Sequence, residues 1–219
     1  MAYHLYVVTD EDISGGVSHC RIAGLSYAGG ADCVQLRDKK MSYEELIAAA
    51  EEICRIRDKF NRLFFVNDNI DAAIDSGADG VHLGQDDMPV CEAREISPKN
   101  FLIGVSVGNL SEALHAQNSG ADYIALSPTF DTGSKADAGP GNGIEELKRI
   151  CENVCIPVIG IGGINIHNIH EVIHAGASGC AVISAVVAQG DIREAASELK
   201  SKIMDEISLY LQKKHELLK

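Results

Sequence analysis

The sequence predicts a single-domain (β/α)8 barrel, the TIM-barrel fold, over residues 1–219. Eight short runs rich in Val, Ile and Leu are spaced by about 27 residues, and segments with helical periodicity separate them. Strands that alternate with helices form a parallel sheet, and eight such units in 219 residues match the size of a closed barrel. An open doubly wound sheet is the alternative, but nothing in the sequence indicates a reversal of strand order.

The predicted strands are apolar runs that end in polar or glycine residues. In chain order they are LYVVT (5–9), CVQLR (33–37), LFFVN (63–67), GVHLG (80–84), LIGVS (102–106), YIALS (123–127), IPVIGIGG (156–163) and CAVIS (180–184). Between them, residues 42–60 place Leu46, Ala50 and Ile53 on one helical face, and residues 192–203 repeat this spacing. We therefore expect a helix after each strand.

A short repeat precedes every second predicted strand. Gly-Ala-Asp occurs at 30–32, 77–79 and 120–122, and a weaker Gly-Ala-Ser copy stands at 176–178. The spacings between copies are 47, 43 and 56 residues. Because a helix often ends at a glycine in the left-handed conformation, the repeat predicts tight turns that lead from a helix into a strand.

Composition excludes several classes of function. The chain has 32 acidic and 19 basic residues, a net charge of −13, which disfavours binding to nucleic acids or anionic membranes. No apolar run reaches the roughly 18 residues of a membrane span, and the start lacks the features of a signal peptide. Seven dispersed cysteines, an odd number, are typical of a reducing compartment. We expect a cytoplasmic protein; the sequence leaves its oligomeric state open, a homo-oligomer included.

In this fold, functional residues lie where the strands run into their following loops. After the second strand, the alternation of side chains puts Gln35, Arg37 and Lys39 on one side and Leu36 on the other. Two cations beside an amide favour an anionic ligand. A solvated strand end is the alternative for this segment alone.

Acidic residues follow the third and fourth strands. The third ends in Asn67-Asp68-Asn69, and the fourth is followed by Gly84-Gln85-Asp86-Asp87. Since neighbouring strands lie about 5 Å apart, carboxylates leaving both strands can share one Mg²⁺ ion, with Asp68 and Asp87 as ligands. The alternative is that these residues only cap the following helices. His82, inside the fourth strand, fits either a hydrogen-bonded interior role or a catalytic one.

The last four strand ends carry hydroxyls, glycines and one lysine. The fifth strand ends in Ser106, and the sixth runs into a loop of about a dozen residues, against roughly 2–6 in an ordinary βα connection. Thr132, Ser134 and Lys135 in this loop are suited to donate hydrogen bonds to a phosphate; a merely disordered loop is the alternative. Glycines at 160–163 and the end of the eighth strand at 183–184 fall where this fold commonly binds phosphate.

Together these strand ends resemble the thiamine-phosphate synthase family, from about Tyr6 to Ala188. The matching motifs are QLRDK (35–39), VNDN (66–69), HLGQDD (82–87), GVS (104–106), TGSK (132–135), GIGGI (160–164) and VIS (182–184). Ordered matches on different strands are far more specific than any one motif alone.

The resemblance implies an Mg²⁺-dependent enzyme that joins 4-amino-5-hydroxymethyl-2-methylpyrimidine diphosphate to a thiazole phosphate, releasing pyrophosphate. It implies Mg²⁺ ligation by Asp68 and Asp87, and catalytic participation by Arg37, Lys39, Ser106 and Lys135. The expected substrate-binding residues are Gln35, Leu36, Arg37, Asp38, Lys39, Asn67, Ser106, Thr132, Gly133, Ser134, Lys135, Gly163, Ile183 and Ser184.

The sequence departs from the family pattern in the sixth loop. Asp131 stands where the family usually has proline, and Ser134 replaces a threonine while keeping its hydroxyl. Three alternatives remain: a relative that isomerises the thiazole, a phosphate-ligand sensor without activity, and another phosphosugar-type barrel enzyme. Relatives that isomerise the thiazole lack the Asn-Asp and Gln-Asp-Asp segments. Another phosphosugar-type barrel enzyme would need a general base, and no predicted strand end offers one.

Overall fold

The computed structural model describes residues 3–133 and 141–217, and it confirms the predicted closed barrel. Eight parallel strands pair in chain order, and β8 closes the ring against β1. Each strand begins and ends within a few residues of a predicted apolar run. Their bounds are β1 (Leu5–Val8), β2 (Cys33–Leu36), β3 (Leu63–Asn67), β4 (Gly80–Leu83), β5 (Leu102–Val107), β6 (Tyr123–Leu126), β7 (Val158–Ile161) and β8 (Gly179–Val182).

Helices surround the barrel and cover its outer face. Within the described residues they are α1 (His19–Ala28), α2 (Tyr43–Asp58), α3 (Ile70–Asp75), α4 (Val90–Ile96), α5 (Leu110–Asn118), α6 (Gly143–Asn153), α7 (Ile169–His174), α8 (Ser184–Val187) and α9 (Ile192–Leu217). The predicted helix after β2 begins with a capping box, in which Ser42 and Glu45 each bind the other's backbone N–H. In the part of the chain described, no helix combines the length and the apolar character that crossing a membrane requires.

The Gly-Ala-Asp repeat ties pairs of strands together at the amino end of the barrel. Each aspartate accepts a hydrogen bond from one backbone N–H of the preceding strand and donates its own N–H to the same residue. The pairs are Asp32 with Leu5, Asp79 with Phe64 and Asp122 with Ile103, with carboxylate distances of 3.0, 2.8 and 2.8 Å. The repeat therefore spans two βα units, which explains why its spacing is nearly twice that of the strands.

The glycines of the repeat have the predicted left-handed backbone. Their φ angles are +100° at Gly30, +75° at Gly77 and +99° at Gly120. Cations also bind each aspartate: Arg62 and Lys200 pair with Asp32, Arg57 with Asp79 and Arg94 with Asp122. These ion pairs hold the amino ends of the strands in register, at the rim opposite the predicted site.

Aromatic and polar side chains fill the barrel interior. The Tyr6 ring stacks on Phe65 with centroids 5.5 Å apart, and its hydroxyl lies 2.9 Å from that of Tyr123. Because β1 and β6 are not neighbours, this contact crosses the centre of the barrel. Gly104 leaves room for the Tyr123 ring, since a Cβ at this position would lie 2.0 Å from Tyr123 Cζ.

We predict that Asp32→Ala destabilises the protein by about 2–3 kcal/mol, because a backbone N–H and two cations lose their acceptor. Asp32→Asn should lose less, since its amide oxygen can still accept from the Leu5 N–H. Urea unfolding followed by circular dichroism measures both values. Asp205→Ala, which removes an exposed carboxylate from α9, is the control. An Asp32→Ala protein as stable as this control would contradict the prediction.

Candidate active site

The carboxyl ends of β2, β3, β4 and β5 surround a polar cavity of about 190 Å³, here called the first cavity. Its lining contains six of the predicted site residues: Arg37, Lys39, Asn67, Asp68, Asp87 and Ser106. His82, Gly84, Gln85 and Asp86 complete the wall. Residues from four segments of the chain thus meet at one point, as the strand-end argument expected. Gln85 and Asp86 were not among the predicted site residues. Their position directly before Asp87 in the sequence is the feature that could have indicated them.

The turn after β3 separates a capping residue from a cavity residue. Asn69 accepts from the Ala72 N–H at 2.9 Å and caps α3. Asp68 adopts a left-handed backbone with φ +62°, and its N–H donates to the His82 carbonyl at 2.8 Å. This conformation directs Asp68 away from the helix, so the capping alternative applies to Asn69 and not to Asp68.

Asp87 is likewise no helix cap. Pro89 occupies the N-cap position of α4 without a side-chain capping bond, whereas Asp87 Oδ2 accepts from the Gly84 N–H at 2.6 Å. This bond folds the segment back on itself and holds the Asp87 carboxylate at the end of β4. Both predicted ligands are therefore positioned by backbone contacts that leave them facing the first cavity.

Burial and a neighbouring carboxylate alter the acidity of this pair. Burial, a hydrogen bond to Asp87 and the charge of Asp87 together raise the pKa of Asp68 from 3.8 to about 6, against the opposing charges of Lys39 and Arg37. Two facing carboxyl groups present oxygen donors that a divalent cation can bind. Across residues 3–133 and 141–217, no three His, Cys, Asp or Glu side chains converge on one point. A pair of carboxylates fits Mg²⁺, which keeps several waters and phosphate oxygens as ligands.

The segment 35–39, which begins in β2 and continues into the loop after it, divides its side chains between three environments. Arg37 and Lys39 line the first cavity, but Gln35 lies inside the barrel beneath it, 3% exposed, with its amide donating to the Tyr6 hydroxyl. Leu36 is fully buried on the opposite face of the strand. Asp38 accepts from the Lys40 N–H at 2.7 Å and lies 3.2 Å from the His19 ring. The lining of the first cavity therefore lacks three residues that the sequence predicts to bind substrate: Gln35, Leu36 and Asp38.

The ends of β6, β7 and β8 surround a second cavity. It contains the predicted residues Thr132, Gly163, Ile183 and Ser184, and its other lining residues are mostly apolar or glycine. Gly133 is exposed beside it. Ser134 and Lys135 fall outside the described residues.

The glycines after β7 are required by a close backbone approach. Gly162 and Gly163 have φ angles of +100° and +65°, and a Cβ on Gly163 would lie 2.5 Å from the Asp131 carbonyl oxygen. The segment after β6 runs alongside them, with the Phe130 N–H donating to Gly162 at 3.1 Å. The sequence predicted these glycines for anion binding; the structure adds that the neighbouring loop leaves no room for side chains.

Asp131, the departure from the family pattern, has a structural partner. Its Oδ1 accepts from the Gly141 N–H at 2.9 Å, and the Asn142 N–H donates to the Pro128 carbonyl at 2.8 Å. These bonds join the two ends of the loop. The added negative charge is thus engaged with backbone at the base of the loop.

A (β/α)8 barrel with a cavity of carboxylates and cations beside a glycine-lined cavity is typical of enzymes that act on phosphorylated ligands. Residues 5–186 match the family model for thiamine monophosphate synthase. A thiamine-phosphate synthase from Methanoculleus marisnigri is 55% identical over 203 residues, 93% of this chain and 96% of that protein. The thiamine phosphate pyrophosphorylase structure from Pyrococcus furiosus superposes with a TM-score of 0.87 at 39% identity, covering 94% of this chain and 97% of that chain. The chain belongs to the thiamine monophosphate synthase family and is an enzyme of thiamine biosynthesis.

We predict that Asp68→Asn stabilises the metal-free protein at pH 8 by on the order of 1–3 kcal/mol. The pKa of Asp68 is raised from 3.8 to about 6 by folding, so ionising this group opposes folding increasingly as the pH rises between those values and fully above them. Asparagine removes that cost and also tolerates the left-handed backbone at this position.

Unfolding in urea with a chelator present, at pH 8 and at pH 4, measures the effect. The gain should shrink to a small fraction near pH 4, because Asp68 is then protonated in the folded state and about half protonated in the unfolded state. Asp205→Asn, on the exposed face of α9, is the matched control and should gain nothing at either pH. A gain that is equal at both pH values would show that charge is not its cause.

Proposed function

We propose that this chain joins 4-amino-5-hydroxymethyl-2-methylpyrimidine diphosphate to a thiazole phosphate, forming thiamine phosphate and pyrophosphate. The observation that carries the proposal is the pair of chemically different cavities at one end of the barrel. One is lined by two cations and facing carboxylates, and the other by glycine, hydroxyl and apolar residues. A diphosphate ester and a monophosphate-bearing ring therefore each find a suitable environment next to the other.

The first cavity is suited to bind the diphosphate and assist its departure. Asp68 and Asp87 would hold Mg²⁺, which when bound neutralises charge on the departing pyrophosphate. Arg37 and Lys39 place positive charge in the same cavity. Ser106 supplies a hydroxyl, and Asn67 an amide, for the pyrimidine or the pyrophosphate.

The second cavity is suited to the thiazole phosphate. Gly163, Ile183 and Ser184 would surround its phosphate, and Thr132 would contact it from the loop after β6. We assign Ser134 and Lys135 to the same loop function, with Lys135 directed to pyrophosphate. These assignments follow the family motif, since both residues lie outside the described part of the chain.

The chemistry requires no protein nucleophile. The bond between the pyrimidine methylene carbon and the diphosphate oxygen breaks first, and the electron-rich aminopyrimidine stabilises the resulting carbocation. The thiazole nitrogen then attacks that carbon. Arg37, Lys39 and Lys135 stabilise the departing negative charge, and the two cavities hold the rings within reach of each other.

We also infer that the enzyme works in the cytoplasm. None of the seven cysteines is in a disulfide, and three of them are buried in the barrel or against its helices. Buried thiols outside disulfides are typical of a reducing compartment.

We predict that Asp87→Ala and Lys135→Ala each lower turnover by on the order of 10²–10³ while the protein remains folded, because each removes charge stabilisation of the leaving group. Pyrophosphate release with both substrates, with and without Mg²⁺, measures this. The controls are Asp205→Ala and Lys99→Ala, exposed residues remote from the cavities, which should keep wild-type rates. Near-normal rates in both test variants would overturn the assignment.

The same assay separates the competing functions. Joining requires both substrates and yields one pyrophosphate per thiamine phosphate. Isomerisation of the thiazole phosphate without a pyrimidine substrate would indicate a tautomerase instead. Saturable phosphate-ligand binding without turnover of either substrate would indicate a sensor.

A further inference from the structure

A continuous series of hydrogen bonds crosses the barrel interior and ends at the first cavity. Gln35 Nε2 donates to the Tyr6 hydroxyl at 3.0 Å, and the Tyr6 and Tyr123 hydroxyls lie 2.9 Å apart. The Tyr123 hydroxyl lies 2.9 Å from His82 Nδ1, and His82 Nε2 lies 2.9 Å from Ser106 Oγ. The first four residues are at most 6% exposed, whereas Ser106 is half-buried and lines the cavity.

The direction of donation follows from the number of protons on each group. The Tyr6 oxygen accepts from the Gln35 amide, and within this series its own buried proton finds an acceptor only in the Tyr123 oxygen. Tyr123 then donates its own proton to His82 Nδ1. Burial raises the pKa of Tyr6 and Tyr123 well above the usual value, so both phenols keep their protons.

The tautomer of His82 then determines the direction of its hydrogen bond with Ser106. With Nδ1 accepting, the neutral imidazole carries its proton on Nε2, which donates to Ser106 Oγ. The Ser106 hydroxyl proton is then available to the first cavity. In the opposite direction, the Ser106 hydroxyl would donate to His82 Nε2, and only its oxygen lone pairs would face an anionic ligand.

We propose that His82 is a positioning residue that holds Ser106 as a hydrogen-bond donor toward the substrate, with the direction set by Gln35, Tyr6 and Tyr123. The identity of the acceptor, an oxygen of the diphosphate or a ring nitrogen of the pyrimidine, rests on the proposed function. The proposal also gives Gln35 a role inside the barrel, beneath the ligand. Satisfied buried polar networks of this kind hold a single arrangement, because each alternative leaves a buried group unpaired.

The tautomer of His82 tests the direction without any need for turnover. Nitrogen-15 NMR of the full chain, with the signals assigned by their loss in His82→Asn, should show a protonated Nε2 and a bare Nδ1 at neutral pH. The opposite tautomer, or an imidazolium, would overturn the proposal. Because this readout needs no substrate, it stands even if the proposed reaction is not catalysed.

A double-mutant cycle tests the consequence for the reaction. Tyr123→Phe keeps the ring that packs over Gly104 but removes the donor to His82, and should lower kcat about tenfold with little change in KM. In the Ser106→Ala background the same substitution should have no further effect, since its influence passes through the serine. An equal loss in both backgrounds would show a merely structural role and overturn the proposal.

Tyr27→Phe is the matched control. It removes one buried hydroxyl, which donates to the Leu63 carbonyl at 2.8 Å and lies outside this series of hydrogen bonds. Its kcat should stay within about twofold of wild type, although its stability should fall about as much as that of Tyr123→Phe. A tenfold loss of kcat in Tyr27→Phe would show that the loss of any buried hydroxyl is enough, against a specific route through His82.

Discussion

Closing eight parallel strands in chain order forces every strand to end at the same rim of the barrel. Hydrogen bonds between neighbouring strands set the register, and the register decides which residues emerge together. Arg37, Asp68, Asp87 and Ser106 lie at four consecutive strand ends, and they meet because these strands are parallel and paired in chain order. Everything proposed about the chemistry depends on this constraint.

Charged residues serve different purposes at the two rims of the barrel. At the amino rim, Asp32, Asp79 and Asp122 are paired with arginine or lysine and with strand N–H groups. At the carboxyl rim, Asp68 and Asp87 face each other, and the nearby cations line the cavity wall with them. At the amino rim, the three aspartates find their partners within the protein. At the carboxyl rim, the arrangement is suited to a cation and a polyanionic substrate. Stability and ligand binding are therefore assigned to different ends of the same strands.

A net charge of −13 is consistent with phosphorylated substrates because binding depends on where charges lie. Arg37 and Lys39 place positive charge at the mouth, and a bound cation would add to it. The interior beneath the mouth contributes as well. His82 connects Ser106 to a network that reaches Gln35 and Tyr6, and in our proposal these buried groups set the donor property of a cavity residue.

The sequence by itself determined the eight strands, the left-handed glycines of the repeat and the strand ends at which Asp68 and Asp87 stand. These features are local, because helical and strand periodicity and turn glycines depend on residues close together in the chain. Only the tertiary structure decided that Asn69 caps a helix while Asp68 faces the cavity, and that Gln35 points into the interior. It also decided that Gly162 and Gly163 make room for a neighbouring loop, and that His82 meets Tyr123. Those outcomes depend on contacts between segments distant in sequence, which no local pattern records until the barrel closes.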